Sequence, residues 1–197
     1  MKKNLIILSG GQDSITCLLM AIKKYKPENV FAISFIYNKK YRRDIECAKR
    51  VCKDFNIKHE IFDIGVIHDI SGTNNFEGRN LLLISLAAIY AKRYGIYNVI
   101  CGLSANSSHS DCSLDFFKVL SKNLKIAIGK DINLEAPLIN LEKTEIWEIA
   151  DKLGYLEYIQ KNSFSCWNSQ KDHCMKCLSC KARFDGLEKY YNLRKKR

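Results

Sequence analysis

Short apolar runs alternate with longer amphipathic segments through five rounds of this 197-residue chain. Such runs are typical of buried strands, and the segments between them have the spacing of helices. A repeated strand–helix order predicts parallel βαβ units, and strands that are apolar throughout predict burial on both faces. The alternation therefore predicts a doubly wound, Rossmann-like α/β fold around a five-stranded parallel sheet. We predict the strands at residues 4–8, 30–37, 60–64, 98–103 and 134–138.

The first predicted strand runs directly into Ser-Gly-Gly-Gln-Asp-Ser, residues 9–14, which we call the phosphate loop. Ligands of open parallel sheets bind beyond the carboxyl ends of the strands, where this loop lies. Its glycines let the backbone approach an anion, and the amides at a helix N-terminus point toward that anion. Asp13 would repel a phosphate unless it binds Mg²⁺ or caps the helix. A plain glycine turn with a helix cap is the alternative interpretation.

The phosphate loop matches neither the Walker A pattern nor the dinucleotide fingerprint. It resembles the PP-loop of the ATP pyrophosphatases, which grips the pyrophosphate of ATP while a nucleophile attacks the α-phosphate. AMP and pyrophosphate are then the products. The resemblance implies ATP binding by Leu8, Ser9, Gly10, Gly11, Gln12, Asp13 and Ser14.

Four of the nine cysteines crowd into fifteen residues with the spacing C-x7-C-x2-C-x2-C. Four thiolates suit a tetrahedral zinc ion, and two residues between ligands let the chain form a tight knuckle. An iron–sulfur cluster and redox-active cysteines are the alternatives. A shell of four thiolates has no open position, so the ion would be structural. The predicted ligands are Cys166, Cys174, Cys177 and Cys180, and His173 is left out of the shell.

The other cysteines lie in segments with regular structure, which favours a reducing, cytoplasmic location over disulfide bonds. No apolar stretch reaches about 18 residues, so we predict no membrane span. We predict an ATP-binding α/β domain over residues 1–160 and a zinc-binding C-terminal cap with a helix over residues 161–197. The net charge of +11 fits a polyphosphate or RNA surface or, as we favour, solvated lysine-rich helices.

The phosphate loop and the cysteine spacing together resemble the 7-cyano-7-deazaguanine synthase family of queuosine precursor biosynthesis. The resemblance covers nearly the whole chain and includes the strings EGRN at 77–80 and SDC at 110–112. It implies the adenine nucleotide alpha-hydrolase-like fold, structural zinc, ATP with Mg²⁺, and a homodimer. The implied reaction is ATP-dependent conversion of 7-carboxy-7-deazaguanine and ammonia to the nitrile through adenylated intermediates. The implied catalytic residues are Asp13, Lys143 and Arg79, and the implied substrate contacts are Tyr37, Arg42, Asn80, Asp111 and Cys112.

The segment 104–113 is shorter than the substrate loop of that family, and Ser113 stands where an Arg is usual. Because that Arg could serve the substrate carboxylate, a second hypothesis is a related ligase that passes its adenylated acid to another amine. His109 could compensate for the missing Arg. A tRNA-thiolating enzyme is a third hypothesis, but we find no appended RNA-binding domain and expect no nucleic-acid partner.

Overall fold

The computed structural model describes residues 2–37, 43–65, 77–104, 110–129, 131–169 and 171–196. Five strands in this part of the chain pair in parallel in one sheet. They are β1 (Asn4–Ile7), β2 (Val30–Ile36), β3 (Lys58–Asp63), β4 (Asn98–Cys101) and β5 (Asn133–Glu135). Their spatial order is β3-β2-β1-β4-β5, so the chain reverses direction of winding beside β1. The predicted five-stranded, doubly wound α/β fold is confirmed.

The helices of the described residues follow the strands along the chain. They are α1 (Gln12–Tyr25), α2 (Arg43–Asp54), α3 (Arg79–Arg93), α4 (Leu114–Ile128), α5 (Lys143–Lys152), α6 (Leu156–Asn162) and α7 (Leu178–Arg194). Short 3-10 turns lie at Pro27–Asn29 and Ser110–Cys112. Every one of these helices is too short or too polar to cross a lipid bilayer. The division of the chain at residue 160 stays a prediction.

Alternate side chains of β1, β2 and β4 enter different cores, one on each face of the sheet. Leu5 packs with α3 and α4 on one face, whereas its neighbour Ile6 packs with α1 and α5 on the other. Trp147 of α5 is completely buried in the second core. Burial on both faces explains why the central strands β1, β2 and β4 are mostly apolar, whereas the edge strand β3 is exposed or half-buried and carries charged residues.

Two details of the predicted elements were wrong. Of the predicted strand at 134–138, only Leu134 and Glu135 pair with β4, in a strand that begins one residue earlier at Asn133, and the chain then turns. Pro137 has no N–H to donate to the strand ladder, which explains why the strand ends before it. Helix α6 was not predicted, because its seven residues are too few for a clear helical period.

Candidate functional site

A cavity of about 850 Å³ opens at the carboxyl ends of β1, β2 and β4, and we call it the central cavity. It lies where the winding reverses, which is the usual ligand position in open parallel sheets. The phosphate loop, the start of α3, the start of α5 and the predicted C-terminal cap form its walls. Segments far apart in sequence therefore meet in one place.

The phosphate loop is a tight turn packed against the start of α2. Gly10 has φ of +81°, and a Cβ atom there would lie 1.8 Å from the carbonyl oxygen of Asp44. Ser9 Oγ and Ser14 Oγ are 3.1 Å apart across the turn. Gly11 precedes α1 and offers no side-chain cap. The loop thus brings two hydroxyl groups to an uncapped helix N-terminus, an arrangement that suits a phosphate group.

Asp13 and Lys143, which lie 130 residues apart in the chain, form an ion pair in the central cavity. Asp13 Oδ2 accepts from Lys143 Nζ and, at 3.0 Å, from Ser104 Oγ. Both charged side chains are 17% exposed. The other oxygen, Asp13 Oδ1, is buried and accepts no hydrogen bond from any described residue. One carboxylate oxygen is therefore neutralised, while the second is free for a cation.

Lys143 is held in place because it is the first residue of α5. Glu142 precedes the helix, and its backbone N–H donates to Glu145 Oε2 at 2.8 Å in a reciprocal capping box. Such boxes satisfy the free amides of a helix start and fix where the helix begins. The position of Lys143, an implied catalytic residue, thus has a local structural basis.

Arg79 and Tyr37 face each other across a part of the central cavity. The guanidinium carbon of Arg79 lies 6.0 Å from the ring centroid of Tyr37, and both side chains line the cavity. Arg79 begins α3 directly after Gly78, which has φ of +80°. The predicted contact Arg42 lies outside the described residues, as does His109.

Asp111 is buried and organises two residues that line the central cavity. Its Oδ2 accepts from the backbone N–H of Asn80 at 2.8 Å, and its Oδ1 accepts from Asn80 Nδ2 at 3.2 Å. Asn80 Nδ2 also lies 3.1 Å from Cys112 Sγ. Asp111 therefore caps α3 and orients Asn80, and the cavity is reached by Asn80 and Cys112.

The four predicted cysteine ligands converge in the C-terminal cap. The Sγ atoms of Cys166, Cys174, Cys177 and Cys180 all lie within 4.8 Å of one another. Backbone N–H groups of Cys177 and Lys176 donate to Cys174 Sγ at 3.3 and 3.5 Å, and they lower the pKa of Cys174 to about 6. Amides that stabilise a thiolate and four sulfurs at this spacing fit one metal ion. The cluster can hold a metal ion.

His173 lies beside this cluster without belonging to it. Its ring packs 4.8 Å from Phe164 and 5.2 Å from Phe184, and its Nε2 has no partner among the described residues. Burial lowers the pKa of His173 to about 4. The histidine is therefore a neutral, packed side chain.

Two further residues of the central cavity, Asp44 and Ser165, were not singled out from the sequence, and a third, Ser104, was considered only as the start of the segment 104–113. Ser104 closely follows the end of β4, where the rule on carboxyl ends of strands predicts ligand contacts. Asp44 and Ser165 lie at the cavity because α2 and the C-terminal cap pack against the phosphate loop. Burial raises the pKa of Asp44 to about 6.

Comparison with known proteins gives the family of this chain. Residues 3–77 and 73–191 match the family model described as "Queuosine biosynthesis protein QueC". The chain belongs to the QueC family. One relative, 7-cyano-7-deazaguanine synthase of Clostridium acetobutylicum, is 36% identical over 98% of this chain and 97% of its own length. A 7-cyano-7-deazaguanine synthase of Clostridium botulinum strain 657 is 37% identical over 96% of this chain and 98% of its own length. The family predicted from the sequence is confirmed.

Solved structures outside the QueC family share its fold. The NH3-dependent NAD synthetase of Campylobacter jejuni aligns with a TM-score of 0.57 and 21% identity, covering 96% of this chain and 84% of its own. The U34-tRNA thiolase NcsA of Methanococcus maripaludis aligns with a TM-score of 0.53 and 19% identity, covering 99% and 67%. At these identities the likeness shows the fold alone, and it agrees with the predicted PP-loop architecture.

Proposed function

We propose that this chain is an ATP-dependent carbon–nitrogen ligase that converts 7-carboxy-7-deazaguanine and ammonia to 7-cyano-7-deazaguanine. The observation that carries the proposal is the cluster of Asp13, Lys143 and Ser104 beside the phosphate loop. It lies in a QueC-family chain whose curated relatives bear the name of that synthase over their full length.

In the first stage, the phosphate loop and the start of α1 hold the pyrophosphate portion of ATP. The substrate carboxylate attacks the α-phosphorus, and pyrophosphate leaves. Lys143 and Arg79 neutralise negative charge that develops on the transferring and leaving groups. Catalysis of this kind depends on alignment and fixed charges, and it needs no side-chain nucleophile.

The free oxygen Asp13 Oδ1 suits a magnesium ion that accompanies ATP. Buried carboxylate oxygens are hard ligands of the kind that Mg²⁺ prefers, and this oxygen has no partner among the described residues. Bound there, the ion would supply further positive charge to the phosphates. Lys143 holds the other oxygen of Asp13, so the carboxylate keeps one orientation.

In the second stage, ammonia displaces AMP from the acyl adenylate and leaves an amide. A second ATP adenylates the amide oxygen, and elimination of AMP forms the carbon–nitrogen triple bond. Both adenylations release pyrophosphate, so one phosphate loop can serve both. The proposed product requires two ATP for each nitrile formed.

The deazapurine ring would be recognised by Tyr37, Asn80 and Cys112, with Arg42 outside the described residues. Asn80 Nδ2 is occupied by Asp111 and Cys112, which leaves Oδ1 of Asn80 as an acceptor for a ring N–H group. Tyr37 offers a flat face for stacking. Asp111 acts in this proposal by orienting Asn80.

The metal ion of the C-terminal cap is, in this proposal, structural zinc, one per chain. Four thiolates fill the tetrahedral shell of zinc and leave no position for substrate. We further infer a cytoplasmic homodimer, as the family resemblance implies. Elemental analysis that finds iron in place of zinc would contradict the zinc assignment.

The central test is incubation with ATP, Mg²⁺, ¹⁵N-ammonium and 7-carboxy-7-deazaguanine, followed by mass spectrometry. We expect labelled nitrile and two AMP per nitrile. Lys143→Met should lower kcat/KM by about 100-fold or more, because a fixed cation is lost from the transition state. Lys152→Met, on the exposed end of the same helix, should retain wild-type activity. Failure of this acid to stimulate AMP release would contradict the proposal.

One observation favours the related ligase as a second candidate. Ser113, which stands where the family usually has Arg, caps α4 by accepting from the N–H of Phe116 at 3.1 Å. A serine occupied in this way does not replace a carboxylate-binding arginine. Pyrophosphate release that stops at the adenylate, or AMP release that stops at the amide, with nitrile absent, would support this candidate.

A further inference from the structure

The C-terminal cap touches the phosphate loop directly. The backbone N–H of Phe164 donates to the carbonyl oxygen of Gly10 at 3.0 Å. The backbone N–H of Gln12 donates to Ser165 Oγ at 3.4 Å, across 153 residues of chain. A Cβ atom placed on Gly11 would lie 3.5 Å from the same Ser165 Oγ. Ser165 is therefore seated against the loop that would hold the phosphates of ATP, and it lines the central cavity.

The hydroxyl group of Ser165 has a proton that it can still donate in a hydrogen bond. A serine hydroxyl can accept two hydrogen bonds and donate one. Ser165 Oγ accepts from Gln12 N and from Arg183 Nη1, each at 3.4 Å. No residue that the structure describes accepts the proton of this hydroxyl. The Ser165 hydroxyl can therefore still donate one hydrogen bond. It lies at the wall of a cavity that suits an anion.

Arg183 supplies a buried positive charge behind Ser165. Its side chain is 2% exposed, and its guanidinium donates to Ser163 Oγ at 2.7 Å and to two backbone carbonyls of α6. Burial lowers the pKa of Arg183 to about 10, so the side chain stays charged at neutral pH. No carboxylate among the described residues forms an ion pair with it. Asp13, Cys180 and Cys47 act on this cation through space, and an anionic ligand beside Ser165 would add to that attraction.

We propose that Ser165 donates a hydrogen bond to a phosphate oxygen of bound ATP and that Arg183 is the residue that positions and polarises it. The proposal rests on the ATP site proposed above. Hydrogen bonds to anionic oxygens are stronger than those between neutral groups, and a cation at the far side of the hydroxyl strengthens its donation. The phosphate site is then completed by the C-terminal cap.

The test measures binding of MgATP, inorganic pyrophosphate and AMP by calorimetry to the full-length, metal-loaded protein. Ser165→Ala should weaken binding of ATP and pyrophosphate about tenfold, the usual effect of losing a hydrogen bond to a charged group. AMP, which lacks the pyrophosphate group, should bind with equal affinity to variant and wild type. Ser85→Ala is the matched control, because that hydroxyl already donates to the carbonyl oxygen of Leu81 at 2.7 Å and lies on α3 outside the cavity lining.

The role of Arg183 is tested by a double-mutant cycle. Arg183→Lys should weaken pyrophosphate binding in the wild-type background and cause no further loss in Ser165→Ala, because it acts through that serine. Equal pyrophosphate affinity of Ser165→Ala and wild type would overturn the assignment of Ser165 while leaving the proposed function in place. Absence of ATP and pyrophosphate binding by the wild type would overturn both. Should Arg183→Lys fail to fold, the Ser165→Ala comparison still decides.

Discussion

The two carboxylate oxygens of Asp13 have different partners. Oδ2 accepts from Lys143 and Ser104, whereas Oδ1 is buried and has none among the described residues. An aspartate in a phosphate loop would repel its ligand if both oxygens were exposed to it. The pairing with Lys143 removes that repulsion and holds the second oxygen in one place. The acidic side chain of Asp13 can therefore lie in a phosphate-binding loop without repelling the phosphate.

Asp44 is a carboxyl group whose ionisation opposes folding. Burial raises the pKa of Asp44 to about 6, although the N–H of Ile45 donates to it at 2.8 Å. In the unfolded chain an Asp titrates near pH 4, so between about pH 4 and 6 the unfolded chain releases the proton that the folded protein keeps. The folded state binds more protons there, so stability falls as the pH rises through this window, by about 3 kcal/mol in total.

Asp44→Asn keeps the acceptor for Ile45 and removes the ionisation. We expect the variant to exceed the wild type in free energy of unfolding by about 2–3 kcal/mol near pH 7.5 and to equal it near pH 4. Urea denaturation at the two pH values measures the difference. Asp185→Asn, at an exposed position of α7, should change stability little at either pH. A gain for Asp44→Asn that is the same at both pH values would contradict the burial of its charge.

At the scale of elements, α5 and α7 meet backbone to backbone at the start of α5. A Cβ atom on Gly186 would lie 2.5 Å from Lys143 Cβ and 3.1 Å from the carbonyl carbon of Lys143. Farther along, the hydroxyl of Tyr190 donates to Asp151, which also pairs with Arg194 at 3.2 Å. The packing of these two helices thus determines where Lys143 stands in the cavity.

Gly186→Ala should push α7 away from α5 and displace Lys143. Overpacking of this kind destabilises a protein by about 1–3 kcal/mol. We expect kcat/KM for nitrile formation to fall by about tenfold or more, because a displaced cation loses its alignment with the phosphates. Denaturation and steady-state kinetics measure the two effects. Glu188→Ala, an exposed neighbour on α7, should have neither effect, and native rates in Gly186→Ala would contradict the close approach.

The opposite end of the sheet carries a ladder of asparagines. Asn4, Asn98 and Asn133 are register partners on β1, β4 and β5. Asn98 Nδ2 donates to Asn4 Oδ1 at 2.9 Å, and Asn133 Nδ2 donates to Asn98 Oδ1 at 2.7 Å. The ladder holds the amino ends of these strands level, and therefore aligns β1 and β4 where their carboxyl ends border the cavity.

At the scale of the whole molecule, the C-terminal cap and the α/β sheet share one site. Phe164 and Ser165 of the cap contact the phosphate loop, and they immediately precede Cys166 of the cysteine cluster. Cys47 of α2 packs against the same cluster. The cysteine cluster and the phosphate loop are therefore joined by two successive residues of the cap, and Cys166 itself lines the central cavity.

Removal of the metal ion should weaken stability and ATP binding together. Ligand thiolates without their ion lose the binding energy that orders the cap, so its contacts to Gly10 and Gln12 should be lost. We expect ATP affinity to fall by about tenfold or more, in line with the loss of several hydrogen bonds to charged groups. Chelation with elemental analysis, denaturation and ATP titration measure this, and added zinc should restore both properties. An apoprotein with unchanged ATP affinity would contradict the coupling.

The sequence alone determined the α/β class, the five strands, the phosphate loop and the four converging cysteines. These features depend on local patterns, because the period of apolar residues, a glycine turn and close ligand spacing all act over a few neighbouring positions. The end of the fifth strand and helix α6 escaped this reasoning, because Pro137 and a very short helix depart from the simple periods.

Only the tertiary structure decided which side chains face one another. It paired Asp13 with Lys143, turned Asp111 toward Asn80 and away from the cavity, and set Ser165 against the phosphate loop. These residues lie 130, 31 and 153 positions apart, and contacts over such separations depend on how helices and strands pack. Local patterns carry no information on that packing, since the same amphipathic helix can dock on a sheet at many angles and offsets.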